Sequence, residues 1–170
     1  ERDKCLSFVI VGGGPTGVEF SGAFAEFVNG PLRKDYPHIE SGDVKIKIID
    51  AAGQILGAYS PKSAEYAKRK LEKMKVSVYL NTSVKEVRPG EIILGGGEKV
   101  SSGTILWTAG VSGVSIKNDI KLADRKDNRV TVDEYLRPCG CDNVFICGDM
   151  AYLVQDGKPL PMTAPVATQQ

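Results

Sequence analysis

The chain has 170 residues, of which 42% are hydrophobic and 25% charged, and its formal net charge is +1. A charge this close to zero excludes the basic footprint of a nucleic-acid-binding protein and the polybasic surface of a membrane-surface protein. No segment approaches the ~20 apolar residues of a membrane span, and the length suffices for one large domain or two small ones.

The first predicted unit is a strand, a glycine-rich turn and a helix. Residues 8–11 are β-branched or aromatic, which is typical of a buried parallel strand, and the helix is predicted at 15–28. Between them lies Gly12-x-Gly14-x-x-Gly17, the spacing of a dinucleotide-binding turn. Its glycines allow a tight turn, backbone approach to a pyrophosphate and close helix packing. The alternative is a corner that serves the structure alone.

Asp50 follows the second predicted strand. Residues 31–42 contain two prolines and no periodic pattern, so we predict a loop or insertion there and a strand at 44–49. In the dinucleotide fingerprint, an acidic residue at the end of this strand accepts hydrogen bonds from the adenosine ribose. Its separation from the turn exceeds the usual ~20 residues, and the insertion accounts for the excess. Alternatively, Asp50 merely ends a strand.

The following residues predict further β-α-β structure with a small antiparallel insertion. We predict a helix at 60–74 with Ser60 as its N-cap. We also predict four strands, at 76–80, 84–87, 91–94 and 104–107. The fold class is therefore α/β, a Rossmann-like three-layer dinucleotide-binding domain with an inserted antiparallel meander. Because a crevice forms at the carboxyl ends of parallel strands, Gly14, Asp50 and Gly110 should converge there.

The remaining residues predict a second segment. Residues 112–129 are polar and loop-like, so we predict a boundary between a dinucleotide-binding domain at 1–111 and a segment at 112–170. Strands are predicted at 130–133 and 142–149, the second one buried, and a helix begins near Pro165.

The cysteines indicate neither a disulfide framework nor a metal site. Cys139-Gly-Cys141 lacks the C-x-x-C spacing of a redox pair. The single histidine, His38, leaves too few well-spaced ligands for zinc. Four cysteines in this context favour a reducing compartment.

Four segments, in this order, carry a specific resemblance. They are Gly12-Gly-Gly-Pro-Thr-Gly-Val-Glu19, Leu106-Trp-Thr-Ala-Gly-Val111, Asn143-Val-Phe-Ile-Cys-Gly-Asp149 and Ala164-Pro-Val-Ala-Thr-Gln-Gln170. Together they resemble the pyridine-nucleotide half of the type II NADH dehydrogenases, within the pyridine nucleotide-disulfide oxidoreductase-like flavoproteins. The resemblance covers essentially the whole chain, including the insertion with Leu32-Arg-Lys-Asp-Tyr-Pro37.

The resemblance implies NAD(H) and FAD as cofactors and a role for each matching residue. For NADH, the pyrophosphate would bind at Gly12, Gly14, Pro15, Thr16 and Gly17, the adenosine ribose at Asp50 and Ala51, and the nicotinamide at Thr108, Ala109 and Gly110, with Glu19 as a catalytic acid near the nicotinamide and flavin. For FAD, the ribityl or phosphate region would bind at Gly148 and Asp149, and the flavin ring at the helix start with Pro165 and Val166. A quinone would bind at Gln169 and Gln170.

The implied function is that of a fragment of an FAD-dependent NADH dehydrogenase. Hydride passes from NADH to FAD, and electrons continue to a quinone or another acceptor. Two alternatives remain: a soluble NADH-dependent reductase of the ferredoxin or rubredoxin type, and a non-catalytic NADH-sensing module. Pro165 stands where quinone-reducing relatives usually have glutamine, which leaves the quinone contact at that position unassigned.

Both chain ends indicate a piece of a longer protein. The FAD-binding half with its own glycine turn and the membrane-attaching part would lie outside the chain, so alone it should bind NADH weakly, carry no FAD and be inactive. The expected location is cytoplasmic, with peripheral attachment to the cytoplasmic membrane face as an alternative for the full-length protein. Whether that protein is a homodimer stays open.

Overall fold

The computed structural model describes residues 1–40, 42–115, 122 and 125–170. The chain divides into two compact units, Glu1–Gly110 and Val111–Gln170. Part of the predicted loop at 112–129 and one residue of the predicted insertion at 31–42 lie outside the described residues. Within the described part of the chain, no helix combines the length and the apolar character required to cross a bilayer.

The first unit alternates helices and strands and inserts a group of short strands before its last one. Its elements are α1 Arg2–Cys5, β1 Ser7–Val11, α2 Pro15–Asn29, α3 Pro31–Asp35, β2 Lys45–Ile49, α4 Pro61–Lys73, β3 Val76–Tyr79, β4 Val84–Arg88, β5 Glu91–Leu94, β6 Lys99–Ser101 and β7 Thr104–Trp107.

A parallel sheet in the order β3-β2-β1-β7 forms the centre of this unit. Ile10 pairs in register with Ile48 on one side and with Leu106 on the other. β4, β5 and β6 form a separate antiparallel meander. Since all four central strands run the same way, their carboxyl ends meet at one edge of the sheet.

The two faces of the sheet are covered by different layers. Ile10 packs with Ile48 and with Leu71 of α4 in one apolar cluster, whereas Val9 packs with Ile92 of the meander in another. This division follows from the alternation of side chains along β1. The unit is thus a helix layer, a parallel sheet and an antiparallel layer, which confirms the predicted three-layer fold with an inserted meander.

Small side chains bring α2 close to the sheet. The buried positions of the helix are Gly17, Ser21, Ala25 and Val28. Phe20 and Phe27 of the same helix remain 41% and 45% exposed. The rings of Phe20 and Phe27 instead stack on Phe24, with ring centroids 5.7 and 6.3 Å apart.

The predicted helices and strands of this unit are confirmed to within two residues, with one exception. At α4, the Ser60 hydroxyl accepts the Ser63 N–H at 3.2 Å and Pro61 is the first helical residue, as predicted. The prediction of irregular structure throughout 31–42 is wrong over Pro31–Asp35, which forms α3. Pro31 occupies the first helical position, where a missing N–H does no harm, and the helix ends before Pro37.

The second unit contains little regular structure. Its elements are β8 Val130–Thr131, a 3₁₀ turn Gly148–Met150, β9 Ala151–Tyr152, β10 Val154–Gln155, β11 Lys158–Pro159 and α5 Ala164–Gln169. β8 pairs in parallel with β9, and β10 pairs antiparallel with β11. The predicted helix near Pro165 corresponds to α5.

The predicted buried strand at 142–149 is absent from this structure. Ile146 donates its N–H to the Leu136 carbonyl at 2.9 Å, but no strand among the described residues pairs along this segment. Phe145 is 66% exposed. A strand requires a hydrogen-bonding neighbour on at least one side, so an apolar pattern without one forms no strand and leaves the Phe145 ring uncovered.

Candidate nucleotide site

A cavity of about 410 Å³ opens at the carboxyl edge of the parallel sheet. It is lined by the ends of β1, β2 and β7 and by the residues that lead into β4, namely Val11, Gly12, Gly14, Ile49, Asp50, Ala51, Thr82, Ser83, Val84, Trp107, Thr108, Ala109 and Gly110. The predicted convergence of Gly14, Asp50 and Gly110 is therefore observed. The lining also includes four residues that were not predicted as site residues, Thr82, Ser83, Val84 and Trp107.

The three spaced glycines of the turn meet different physical requirements. Gly12 has φ +112°, and a Cβ there would lie 2.7 Å from the Ala109 nitrogen. A Cβ on Gly17 would collide with the Gly12 carbonyl oxygen. Gly14 has φ −71°, which any residue adopts, and a Cβ there would have no neighbour within 4 Å. Gly14 is thus free of both constraints, and the space beside it belongs to the cavity.

Asp50 connects the end of β2 to the glycine turn. One carboxylate oxygen accepts the Gly13 N–H, and the other accepts the Ala52 N–H at 2.7 Å. The Asp50 side chain therefore has a structural role in the protein itself. Each carboxylate oxygen keeps a further acceptor site, so these bonds leave capacity for ribose hydroxyls.

The Thr108 side chain points into the protein. Its hydroxyl lies 3.0 Å from the carbonyl oxygens of Val11 and Gly12, to which it donates. It therefore fixes the end of β7 to the end of β1. The neighbouring Ala109 and Gly110 are exposed and free to line the cavity, and Gly110 has φ +95°.

Pro15, Thr16 and Glu19 do not belong to the lining of this cavity. All three are exposed on the first two turns of α2. Within the described residues, the Glu19 carboxylate makes no hydrogen bond or ion pair with another side chain. The first N–H groups of α2 lack intrahelical acceptors, as at any helix start, and Gly14 is the N-cap.

In the second unit, Gln170 contacts the predicted FAD segment. Its Oε1 accepts the Gly148 N–H at 2.7 Å, where Gly148 has φ +66°. The Asp149 side chain is exposed and has no polar partner among the described residues. A cavity of about 260 Å³ is lined by Glu134, Leu136, Leu153, Gln155, Leu160, Val166, Gln169 and Gln170. Pro165 is exposed and lies outside this lining.

Asp133 organises the turn after β8. It accepts the backbone N–H groups of Arg137 and Tyr135, each at 2.9 Å, and the Arg137 guanidinium at 3.0 Å. The backbone bond from Arg137, followed by that from Tyr135 and the guanidinium, lowers the pKa of the Asp133 carboxyl below its ordinary value.

Comparison with known proteins gives concordant matches. The sequence model of the pyridine nucleotide-disulphide oxidoreductase family matches residues 2–170. The chain is 34% identical over 169 residues to a probable NADH dehydrogenase of Dictyostelium discoideum, covering 99% of the chain and 37% of that protein. It is 35% identical over 172 residues to the internal alternative NAD(P)H-ubiquinone oxidoreductase A1, mitochondrial, of Arabidopsis thaliana, covering 100% of the chain and 33% of that protein.

A solved structure agrees with these matches. NDH2 from Plasmodium falciparum in complex with NADH superposes with a TM-score of 0.80 at 25% identity, covering 89% of this chain and 33% of that one. The chain spans about a third of the length of the curated relatives named above.

Proposed function

The chain belongs to the pyridine nucleotide-disulphide oxidoreductase family, and on that premise we propose that it is the NADH-binding part of an FAD-dependent NADH dehydrogenase that reduces a quinone. The observation that carries this proposal is the cavity at the carboxyl edge of the sheet, where the glycine turn, Asp50 and the Thr108–Gly110 turn meet. Relatives named as an NADH dehydrogenase and an NAD(P)H-ubiquinone oxidoreductase support it.

The glycine turn would bind the NADH pyrophosphate. Gly14 leaves open space at the cavity wall, and the N–H groups of Thr16 and Gly17 begin α2 without intrahelical acceptors. Those groups and the partial positive charge of a 15-residue helix favour an anion at this point. Gly12, Pro15 and Gly17 would act indirectly, by fixing the shape of the turn.

Asp50 would accept hydrogen bonds from the adenosine ribose hydroxyls. Its bonds to Gly13 and Ala52 hold the carboxylate at the cavity wall before a ligand arrives. Ala51, which is exposed in the same wall, would contact the same ribose. An acceptor that is already oriented loses little conformational entropy on binding.

The β7 end would receive the nicotinamide half of NADH. Ala109 and Gly110 are exposed there, whereas Thr108 contributes by positioning the strand end. Glu19 is exposed on the second turn of α2, where its carboxylate has no partner among the described residues, and it would be the catalytic acid near the nicotinamide and flavin.

The second unit carries residues that fit part of an FAD site. Asp149 presents a carboxylate without a polar partner beside Gly148, which suits hydroxyl groups of a ribityl chain. Pro165 and Val166 would contact the flavin, and Gln169 and Gln170 the quinone, beside the cavity that Val166, Gln169 and Gln170 line. When bound, FAD supplies the redox chemistry that links NADH oxidation to reduction of the acceptor.

Two functions remain as competitors. A ferredoxin- or rubredoxin-type reductase would share the nucleotide cavity and differ only in the acceptor. An NADH-sensing module would need no counterpart of Asp149 and α5. The plant relative is named as a mitochondrial ubiquinone oxidoreductase, which supports a quinone as the acceptor and makes an organelle a second proposed location besides the cytoplasm. Membrane attachment and a homodimer are further proposals for the full-length protein.

The test has two stages. Calorimetric titration of the chain with NADH should give saturable binding that Asp50→Ala abolishes and that Asp35→Ala, a change at an exposed α3 residue, leaves intact. The full-length flavoprotein should then oxidise NADH with a short-chain ubiquinone and not with ferredoxin or rubredoxin. Absence of NADH binding would refute the proposed site, and binding without turnover on any acceptor would favour the sensor.

A further inference from the structure

Trp107 is the single tryptophan of the chain, and its side chain is only half covered. It is 53% exposed at the carboxyl end of β7, although an indole in a sheet is normally among the best-buried side chains. It lines the nucleotide cavity. A large aromatic surface left open inside a cavity indicates a position where another flat, apolar group packs.

The strand register places the indole on the same face as the meander. Trp107 pairs with Val11, whose side chain belongs to the apolar cluster shared with the meander. Ile105, two residues earlier on the same face, also packs against that cluster. Trp107 does not belong to that cluster and is half exposed, and Val84, the first residue of β4, lines the same cavity.

The order of the strands assigns Trp107 to one end of the ligand. Across the edge the order is β3, β2, β1, β7. Asp50 and Thr82 lie at the β2–β3 end, the glycine turn follows β1, and Trp107 ends β7. A dinucleotide with its pyrophosphate at the turn and its adenosine ribose at Asp50 therefore extends its nicotinamide riboside towards Trp107.

We propose that the Trp107 indole packs against the nicotinamide riboside of NADH and orients it in the cavity. This inference rests on the proposed function. It adds a binding residue that acts through its ring face, and it separates two kinds of nucleotide. NADH offers a planar ring to the indole, whereas ADP-ribose carries the same adenosine, pyrophosphate and second ribose without the nicotinamide.

The experiment compares the two ligands in the 170-residue chain by calorimetry. Trp107→Leu should weaken NADH binding by about two- to tenfold, the range for loss of an aromatic stacking partner, and should leave ADP-ribose binding unchanged. Trp107→Phe, which retains a ring, should recover most of the affinity for NADH. Tyr66→Leu is the matched control, because Tyr66 is 70% exposed on α4, outside the cavity lining.

A measurement on the unaltered chain covers the case in which the leucine variant fails to fold. Since Trp107 is the single tryptophan, its emission should fall strongly when NADH binds, by energy transfer to the reduced nicotinamide, and should not fall with ADP-ribose.

Three results would overturn the inference: an equal loss of affinity for both ligands in Trp107→Leu, undiminished NADH affinity in that variant, or unquenched Trp107 emission at saturating NADH. A chain that binds neither NADH nor ADP-ribose would refute the proposed function and this inference together, whereas ADP-ribose binding with an unaffected NADH response in the variants would refute the inference alone.

Discussion

Gly14 and Gly17 lie three residues apart in one turn, yet alanine should affect them in opposite ways. At Gly14 a Cβ has no neighbour within 4 Å and the backbone is in a region open to alanine. The weaker N-cap costs about 0.5–1 kcal/mol, and the smaller entropy of the unfolded chain offsets about 0.4–1 kcal/mol of it. Gly14→Ala should therefore leave the free energy of unfolding nearly unchanged.

The same methyl group occupies cavity space beside the turn. A phosphate oxygen needs about 2.9 Å to a backbone nitrogen for a hydrogen bond, and the methyl prevents that approach. Loss of one charge-assisted hydrogen bond costs about 2 kcal/mol, which is about thirtyfold in the dissociation constant for NADH. At Gly17, by contrast, the Cβ would collide with the Gly12 carbonyl oxygen. That overlap should cost ~1–3 kcal/mol of stability and lower the melting temperature by ~2–12 °C.

The assay combines thermal unfolding with NADH titration of both variants. Gly96→Ala is the control, because a Cβ there also has no neighbour within 4 Å but lies in the β5–β6 hairpin outside the cavity; it should change neither quantity. Undiminished NADH affinity in Gly14→Ala would refute the assignment of the pyrophosphate to this turn. Unchanged stability in Gly17→Ala would refute the packing argument.

Asp50 should make the protein prefer NADH: NADPH should bind at least about tenfold more weakly, because a carboxylate repels the 2′-phosphate. Equal or tighter NADPH binding in calorimetry would contradict that role of Asp50. Glu19→Gln in the full-length enzyme should lower turnover more than it raises KM, and an unchanged rate at every pH would assign Glu19 to structure alone. Thr108→Val should remove the donor to two strand-end carbonyls and destabilise the first unit by about 1–2 kcal/mol in chemical denaturation, whereas a neutral outcome would show that the hydroxyl is dispensable. Because the pKa of Asp133 is lowered, its carboxylate stabilises the fold above its ordinary pKa of 3.8, and this contribution is lost as the pH falls through the lowered value. Asp133→Asn should remove this acid dependence of stability. An Asp133 carboxyl that titrates at or above 3.8 by NMR would disprove the role of Arg137.

Local signals in the sequence predicted the first unit well. The apolar run at β1 and the Ser60–Pro61 start of α4 depend on neighbouring residues alone, so they can be recognised without the fold. The spacing of the glycines likewise predicted the turn after β1, and the position of Asp50 predicted the acidic residue after β2. Both line the cavity.

Features that depend on distant residues could not be predicted in the same way. The bond from Gly13 to Asp50 and the inward direction of the Thr108 hydroxyl arise only when β1 lies between β2 and β7. The exposed side of Trp107 reflects where the meander stops covering the sheet. The segment with Phe145 has strand-like composition, but pairing depends on a neighbour that its own sequence does not specify.

The pairing of β7 with β1 has a consequence for synthesis on the ribosome. β1 joins β2 across 38 residues, from Ser7 to Lys45, but joins β7 across 96 residues, from Phe8 to Thr104. Closing the longer loop costs about 0.8 kcal/mol more entropy, and at ~5–20 residues per second β7 emerges several seconds after β2. During that interval the nascent chain can hold a three-stranded sheet whose β1 edge is unpaired. The nucleotide cavity, which Trp107 helps to line, is therefore completed only when β7 pairs with the free edge of β1. Until then that edge is open to chaperones and to aggregation.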